Sequence, residues 1–213
     1  AITSAIENDE ILKNEKILEV INHVKENNSN LHLFGLLSDG GVHSHINHLF
    51  GLLNMCKVNG LENVYIDVCL DGRDTYEKSA LTYLDQLNEK INELGIGKIN
   101  TISGRYYAMD RDNNFDRLKL AYDAIVYGEG PKYNSYKELI DENYNNEKYD
   151  EFVIPGILNN QPLQDNDGII TFNFRKDRIR EMFTLLSNPT EYESLANEKD
   201  LQVKHFTNLK TLT

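Results

Sequence analysis

Residues 31–48 read LHLFGLLSDGGVHSHINH. An apolar run interrupted only by His32 breaks at Ser38-Asp39-Gly40-Gly41, and His43, Ser44, His45 and His48 follow. The run predicts a buried strand over 31–37, the glycines a turn, and residues 44–59 a helix with Ile46, Leu49, Leu52, Leu53 and Met55 as its apolar positions. Strand, turn and helix start form the unit of an open α/β sheet, where ligands bind outside the carboxyl ends of the strands. Three later stretches repeat it. A strand-like run over 63–70 ends in Asp71-Gly72-Arg73-Asp74, one over 99–102 in Ser103-Gly104-Arg105, and one over 168–174 in Arg175-Lys176-Asp177-Arg178.

Apolar residues at helical spacing predict helices over 10–27, 76–94, 115–127, 135–143 and 179–186. Residues 1–9 give no reading, 106–114 reads as a loop, and 187–200 as a polar connection. A short edge strand is expected over 152–154, before Pro155-Gly156, and a last strand over 202–209. Strands alternating with helices argue for βαβ units and a mostly parallel central sheet covered on both faces, a three-layer α/β/α architecture. No repeat or low-complexity linker divides the chain, so a single domain over 1–213 is expected.

An apolar content of 40% and a charged content of 26% suit a globular core. No window approaches the ~18 apolar residues of a membrane span, and no basic segment precedes an apolar one at the start, so neither a membrane segment nor a signal peptide is expected. The chain begins without Met, as a piece of a longer one would. Cys56 and Cys69 form no metal or redox pattern, and Cys69 lies inside an apolar run. That usage fits buried thiols in a reducing, cytoplasmic compartment. The net charge of −12 argues against nucleic acid and anionic membrane as partners. Yet all seven arginines lie between Arg73 and Arg180, four of them at or near the ends of apolar runs. That placement points to a local anion site, with scattered surface ion pairs as the alternative.

The planar fork of arginine suits bidentate recognition of phosphate and carboxylate. A parallel sheet would bring Arg73, Arg105, Arg175 and Arg178 to one edge, with Arg111 in the loop beyond Arg105. Alternatively each pairs with a neighbouring Asp74, Asp110, Asp112 or Asp177. Asp74 beside a bound phosphate suits a general base, and equally the N-cap of a helix starting near Tyr76. His43 and His45 could share a metal if the backbone were extended. A helix from Ser44 argues against this, since residues two apart do not share a helix face. Hydrogen bonding of an anion, or acid–base work by His43, fits better, and Gly40-Gly41 would let backbone amides approach an oxyanion. Walker A, G-x-G-x-x-G and G-x-S-x-G patterns are absent, and no Ser or Cys stands in a nucleophile context.

Six blocks taken in order, SDGGVHSH (38–45), DGRD (71–74), SGRYYAMDRD (103–112), YGEGP (127–131), QDND (164–167) and FNFRKDR (172–178), resemble the cofactor-independent (2,3-bisphosphoglycerate-independent) phosphoglycerate mutases. The resemblance covers residues 30–210. Enzymes of that family interconvert 3-phosphoglycerate and 2-phosphoglycerate. Their phosphatase-like domain carries a phosphorylatable serine and two manganese or magnesium ions, and a phosphotransferase domain is inserted into it. The resemblance implies that this chain is the inserted, substrate-binding domain, with the phosphatase-like domain as its missing partner. It implies no metal in this chain, a cytoplasmic monomer, and no turnover by the fragment alone. It matches His43, Arg73, Asp74, Arg105, Arg111, Arg175 and Arg178 to the family's substrate-binding residues, with Asp74 as the catalytic acid–base. Lys176 stands where the family commonly has proline, which would stiffen the helix start. Two other readings stay open: a stand-alone phosphate- or carboxylate-binding module without catalysis, and a histidine-metal hydrolase.

Overall fold

The computed structural model describes residues 2–40, 46–173 and 176–213, the side chains of 2–12 and 176 excepted. In chain order the elements are α1 (Ile2–Glu26), β1 (Leu31–Leu37), α2 (Ile46–Val58), β2 (Val64–Leu70), α3 (Ala80–Leu94), β3 (Lys98–Gly104), α4 (Arg105–Ala108), α5 (Phe115–Tyr127), α6 (Tyr136–Asn145), β4 (Gly156–Ile157), β5 (Gly168–Thr171), α7 (Arg180–Ser187), α8 (Glu193–Glu198) and β6 (Lys210–Leu212). Tight 3-10 turns cover Asp150–Phe152, Lys176–Ile179 and Pro189–Glu191.

All seven residues of β1 are buried, which explains why its sequence is a near-continuous apolar run. It lies inside a six-stranded sheet of order β4-β3-β2-β1-β5-β6. Leu31 pairs with Val64 of β2 on one side and Gly168 of β5 on the other, both parallel. Among the described strands only β4 runs antiparallel, against β3. The strand order reverses between β1 and β5, so the crevice expected of such a sheet opens at their carboxyl ends.

Side chains alternate across β1. Leu31, Leu33 and Leu37 join Ile21 and Val24 of α1, Leu49 and Leu53 of α2, Leu84 and Leu87 of α3 and Leu139 of α6. Phe34 and Leu36 face the other way, onto Leu118 and Tyr122 of α5, Met182 and Leu185 of α7 and Ala196 of α8. Two apolar layers sandwich the sheet, giving the three-layer α/β/α architecture read from the sequence. A polar network crosses the strands: the Asp67 carboxylate accepts from His32 Nδ1 at 2.7 Å, Asn100 Nδ2 at 3.0 Å and Thr101 Oγ1 at 2.8 Å. All four side chains are buried, so the network ties β1, β2 and β3 in one register.

Several boundaries differ from the sequence reading. No Gly or Pro interrupts residues 2–26, and α1 begins at Ile2 instead of residue 10. The helix expected from residue 76 begins at Ala80, because residues 71–79 wind around two buried carboxylates described below. The reading of 106–114 as loop misses the one-turn helix α4. The edge strand expected over 152–154 falls at Gly156–Ile157, after the proline. Before it, Ile154 N donates to Asn143 Oδ1 (3.1 Å) and Val153 O accepts from Gly104 N (2.8 Å), so neither group is left for a ladder. Within 187–200 lie a 3-10 turn and α8. The final strand is Lys210–Leu212, not 202–209. In that stretch Lys204 N donates to Tyr122 Oη (2.9 Å) and Thr207 N to Asp165 Oδ1 (2.9 Å), so side chains take the groups a strand would need.

Candidate functional site

The ends of β1, β2 and β3 meet on one carboxylate, Asp71. It follows β2 directly and is 2% exposed. Asp71 Oδ1 accepts from Arg73 N at 3.1 Å, Asp74 N at 3.0 Å and Arg105 Nη1 at 2.8 Å. Its Oδ2 accepts from the Ser38 hydroxyl at 2.9 Å. Burial pushes the Asp71 carboxyl up, but these hydrogen bonds outweigh it and hold the group below the usual carboxylate range. Arg105 is 5% exposed. Burial opposes its charge, and the contact with Asp71, seconded by Asp74, outweighs burial and raises the guanidinium.

The loop from Asp71 to Asp74 is local in sequence but supported from far away. Gly72 has φ +70°, and a Cβ there would lie 2.8 Å from Glu151 N. A Cβ on Gly104 would lie 2.2 Å from Glu151 O. The 3-10 turn at Asp150–Phe152 therefore packs directly on both glycines. Asp150 anchors that turn: its Oδ2 accepts from Ser79 N at 2.9 Å, Tyr144 donates to its other oxygen, and Asp150 N donates to Glu77 O at 2.9 Å. On the β1 side, Gly40 N donates to Ser38 Oγ at 3.0 Å and Tyr83 Oη to Asp39 Oδ1 at 2.6 Å. Burial, and then the Asp39 carboxylate, push the Tyr83 phenol up to about 12. Ile46 N donates to Ser38 O at 2.8 Å, so the chain on either side of 41–45 is joined at the end of β1.

The candidate residues are placed as follows. Asp74 lies six residues before α3, so it is not that helix's N-cap; Ser79 holds that position. Its Oδ2 instead accepts from Arg105 Nη1 at 3.2 Å. Arg73 is largely exposed, 3.8 Å from Glu151 Oε1. Arg111 is exposed, and Arg178 is half-buried, with a buried Nε that finds no hydrogen-bond partner. Burial, and then the positive charges of Arg111, Arg105 and Arg73, pull the Arg178 guanidinium below its ordinary range. Three of the other four predicted arginines therefore act on Arg178. Among the described residues neither Arg111 nor Arg178 has a carboxylate within 4.0 Å, so pairing with Asp110, Asp112 or Asp177 does not account for them. His43, His45 and Arg175 lie outside the described residues, and His48 is exposed on α2.

Sequence reasoning passed over Asp71, Ser38 and Asp150. Asp71 heads Asp-Gly-Arg-Asp, and an Asp that accepts from the amides two and three residues on is the signature of an Asx turn. Asp150 left no local sign, because the backbone amide it holds, Ser79 N, lies 71 residues away.

Three guanidinium groups thus act on Arg178, and one of them, Arg105, also holds the Asp74 carboxylate. The family model for the BPG-independent PGAM N-terminus (iPGM_N) matches residues 2–212. The chain belongs to this family. It is 46% identical over 202 residues to a 2,3-bisphosphoglycerate-independent phosphoglycerate mutase of Clostridium novyi (strain NT), covering 92% of this chain and 39% of that protein. Its fold matches a phosphoglycerate mutase of Leishmania mexicana, whose structure was determined at low cobalt concentration, with a TM-score of 0.82 and 25% identity. That match covers 99% of this chain and 40% of the other. The chain thus spans well under half the length of these relatives. Among the described residues no three His, Cys, Asp or Glu side chains come together as metal ligands. No described helix is long and apolar enough to cross a membrane.

Proposed function

We propose that this chain is the substrate-binding, phosphotransferase domain of an enzyme that interconverts 3-phosphoglycerate and 2-phosphoglycerate, and that it is inactive alone. The observation that carries this reading is that the positive charges of Arg111, Arg105 and Arg73 all act on Arg178, whose buried Nε has no hydrogen-bond partner. Like charges so placed repel, and a phosphate and a carboxylate together offset that repulsion with bidentate contacts. Arg73, Arg111 and Arg178 hold the anionic groups, with Arg175 and His43 as further ligands. Arg105 is committed to Asp71 and Asp74 and fixes the Asp74 carboxylate. Asp74, with its side chain 28% exposed, accepts the proton of one glycerate hydroxyl and returns it to the other. The phosphoryl group passes to a serine on a part of the enzyme outside this chain, where the two manganese or magnesium ions are also held. Turnover then requires that part to close on this one.

Calorimetric titration of 3-phosphoglycerate into this chain tests the reading. Arg178→Ala and Arg111→Ala should each weaken binding by about 2–5 kcal/mol, the effect of removing one partner of a close charge pair. Asp74→Asn should leave binding within a few fold and abolish turnover in the full-length enzyme. Sulfate displacing 3-phosphoglycerate at equal concentration would instead favour a non-catalytic anion-binding module.

A further inference from the structure

Two buried carboxyl groups meet where the loop bearing Arg111 packs on the helix that follows Arg178. Asp110, 7% exposed, belongs to the loop, and Glu181, 3% exposed, to the first turn of α7. Asp110 is surrounded by donors: Oδ2 accepts from Asp112 N (3.2 Å) and Asn114 N (2.8 Å), and Oδ1 from Asn114 Nδ2 (2.8 Å). Arg117 Nη1 of α5 stands 4.0 Å from the same oxygen. Glu181 is served by one amide, Asn113 N, on Oε2 at 3.2 Å. Its other oxygen, Oε1, is buried and accepts nothing. Successive amides hold the two carboxyls together, Asn113 N on Glu181 and Asn114 N on Asp110, and a side-chain hydrogen bond couples Glu181 to Asp110.

Two carboxylates in contact inside a protein do not both ionise. Asp110 already accepts from three donors, whereas Glu181 has an oxygen without one. The proton therefore resides on Glu181 Oε1 and is donated to Asp110, which also gives the orphaned atom a partner. We infer that Glu181 is a positioning residue for the anion site, a proton-bearing latch that fixes the Arg111 loop to the stretch carrying Arg178. Arg178 precedes Glu181 by three residues and Arg111 follows Asp110 directly, so the latch sets the distance between two guanidinium groups of the site.

The charged groups around the latch are Asp110, Arg111 and Asp112 from the loop, Arg117 from α5, and Arg178 and Arg180 around the start of α7. Arg180 reaches out to Glu191 at 3.9 Å, so it does not neutralise Glu181. Tyr107 of α4 and Tyr192 beyond α7 belong to the same apolar layer. Burial first, and then Asp110, push the Glu181 carboxyl up to about 8. Ionisation there places two negative charges in contact, with Asp112 close by, and opens the latch.

The test follows the Glu181 carboxyl carbon and the Asn113 and Asn114 amides by NMR in this chain, from acidic through neutral to alkaline pH. All three signals should titrate together, with a midpoint near 8. Glu181→Gln supplies a side-chain N–H to Asp110 without a proton to lose, so its Asn113 and Asn114 signals should stay flat. A carboxyl midpoint near the ordinary 4.5 would overturn the inference, and it is read on the unaltered chain, so no variant need fold. An amide titration in Glu181→Gln like that of the parent would overturn it too. These readouts need no ligand and stand apart from the proposed substrate. The consequence for the site rests on that proposal: 3-phosphoglycerate affinity should fall at least about fivefold across the transition in the parent chain, relative to Glu181→Gln.

Discussion

Replacing Asp71 by Ala removes the shared acceptor of Ser38, Arg73, Asp74 and Arg105 in one step. Breaking a buried ion pair by deleting one partner costs about 3–5 kcal/mol, because the other charge is left unmatched. Denaturant unfolding of Asp71→Ala should show a loss of that size, and 3-phosphoglycerate binding should fall with it. Loss of binding without loss of stability would mean that Asp71 touches ligand instead of organising the loop. The pH dependence has a definite sign. The folded-state carboxyl lies below its ordinary 3.8, so its stabilising effect is present above that pH and disappears as the pH drops below it. Glu181 runs the opposite way. Its raised folded value means that the proton binds the folded state more tightly, so its contribution is full below 4.5 and declines up to about 8. Glu181→Gln should flatten the unfolding free energy across that window.

Two glycines in different elements should respond in opposite directions. Gly104 ends β3, and a methyl group there would meet the Glu151 backbone at 2.2 Å, which cannot yield without moving the turn that supports the Asp71 loop. Gly104→Ala should destabilise by at least about 1–3 kcal/mol. Gly51 sits exposed inside α2 with nothing within 4 Å of its Cβ position. Gly51→Ala should stabilise by about 1 kcal/mol, the difference in helix propensity. Thermal melts of both variants check the pair. The same contrast explains what the sequence could reveal. The strands β1, β2 and β3 were legible because each is an apolar run closed by Gly and Asp or Arg. The helix α5 was legible down to its ends, with Gly128 at φ +64° as its stop. The start of α3, the 3-10 turn at Asp150–Phe152 and the strand β6 were not, because backbone groups there are satisfied by partners distant in sequence. The site divides likewise. Arginines at strand ends could be placed from alternation alone, whereas Asp150 and Glu181 act only through the folded contacts of other segments.

Across the whole molecule a net charge of −12 coexists with a place where three arginines act on a fourth, Arg178. A ligand that binds only the folded state at a hundred times its Kd stabilises by about 2.7 kcal/mol. For a chain of this size that corresponds to about 2–4 °C in Tm per kcal/mol. Scanning calorimetry with saturating 3-phosphoglycerate should show such a rise in the parent chain and none in Arg178→Ala. The sheet itself ends at both sides in very short strands, β4 of two residues and β6 of three. Such stubs offer few unpaired amides to a neighbouring molecule, a common protection against edge-to-edge aggregation. β6 pairs with the outer edge of β5, whose Gly168–Thr171 is wholly buried and apolar apart from its last residue. Trimming residues 210–213 would turn β5 into a bare border, and the shortened chain should self-associate as its concentration rises.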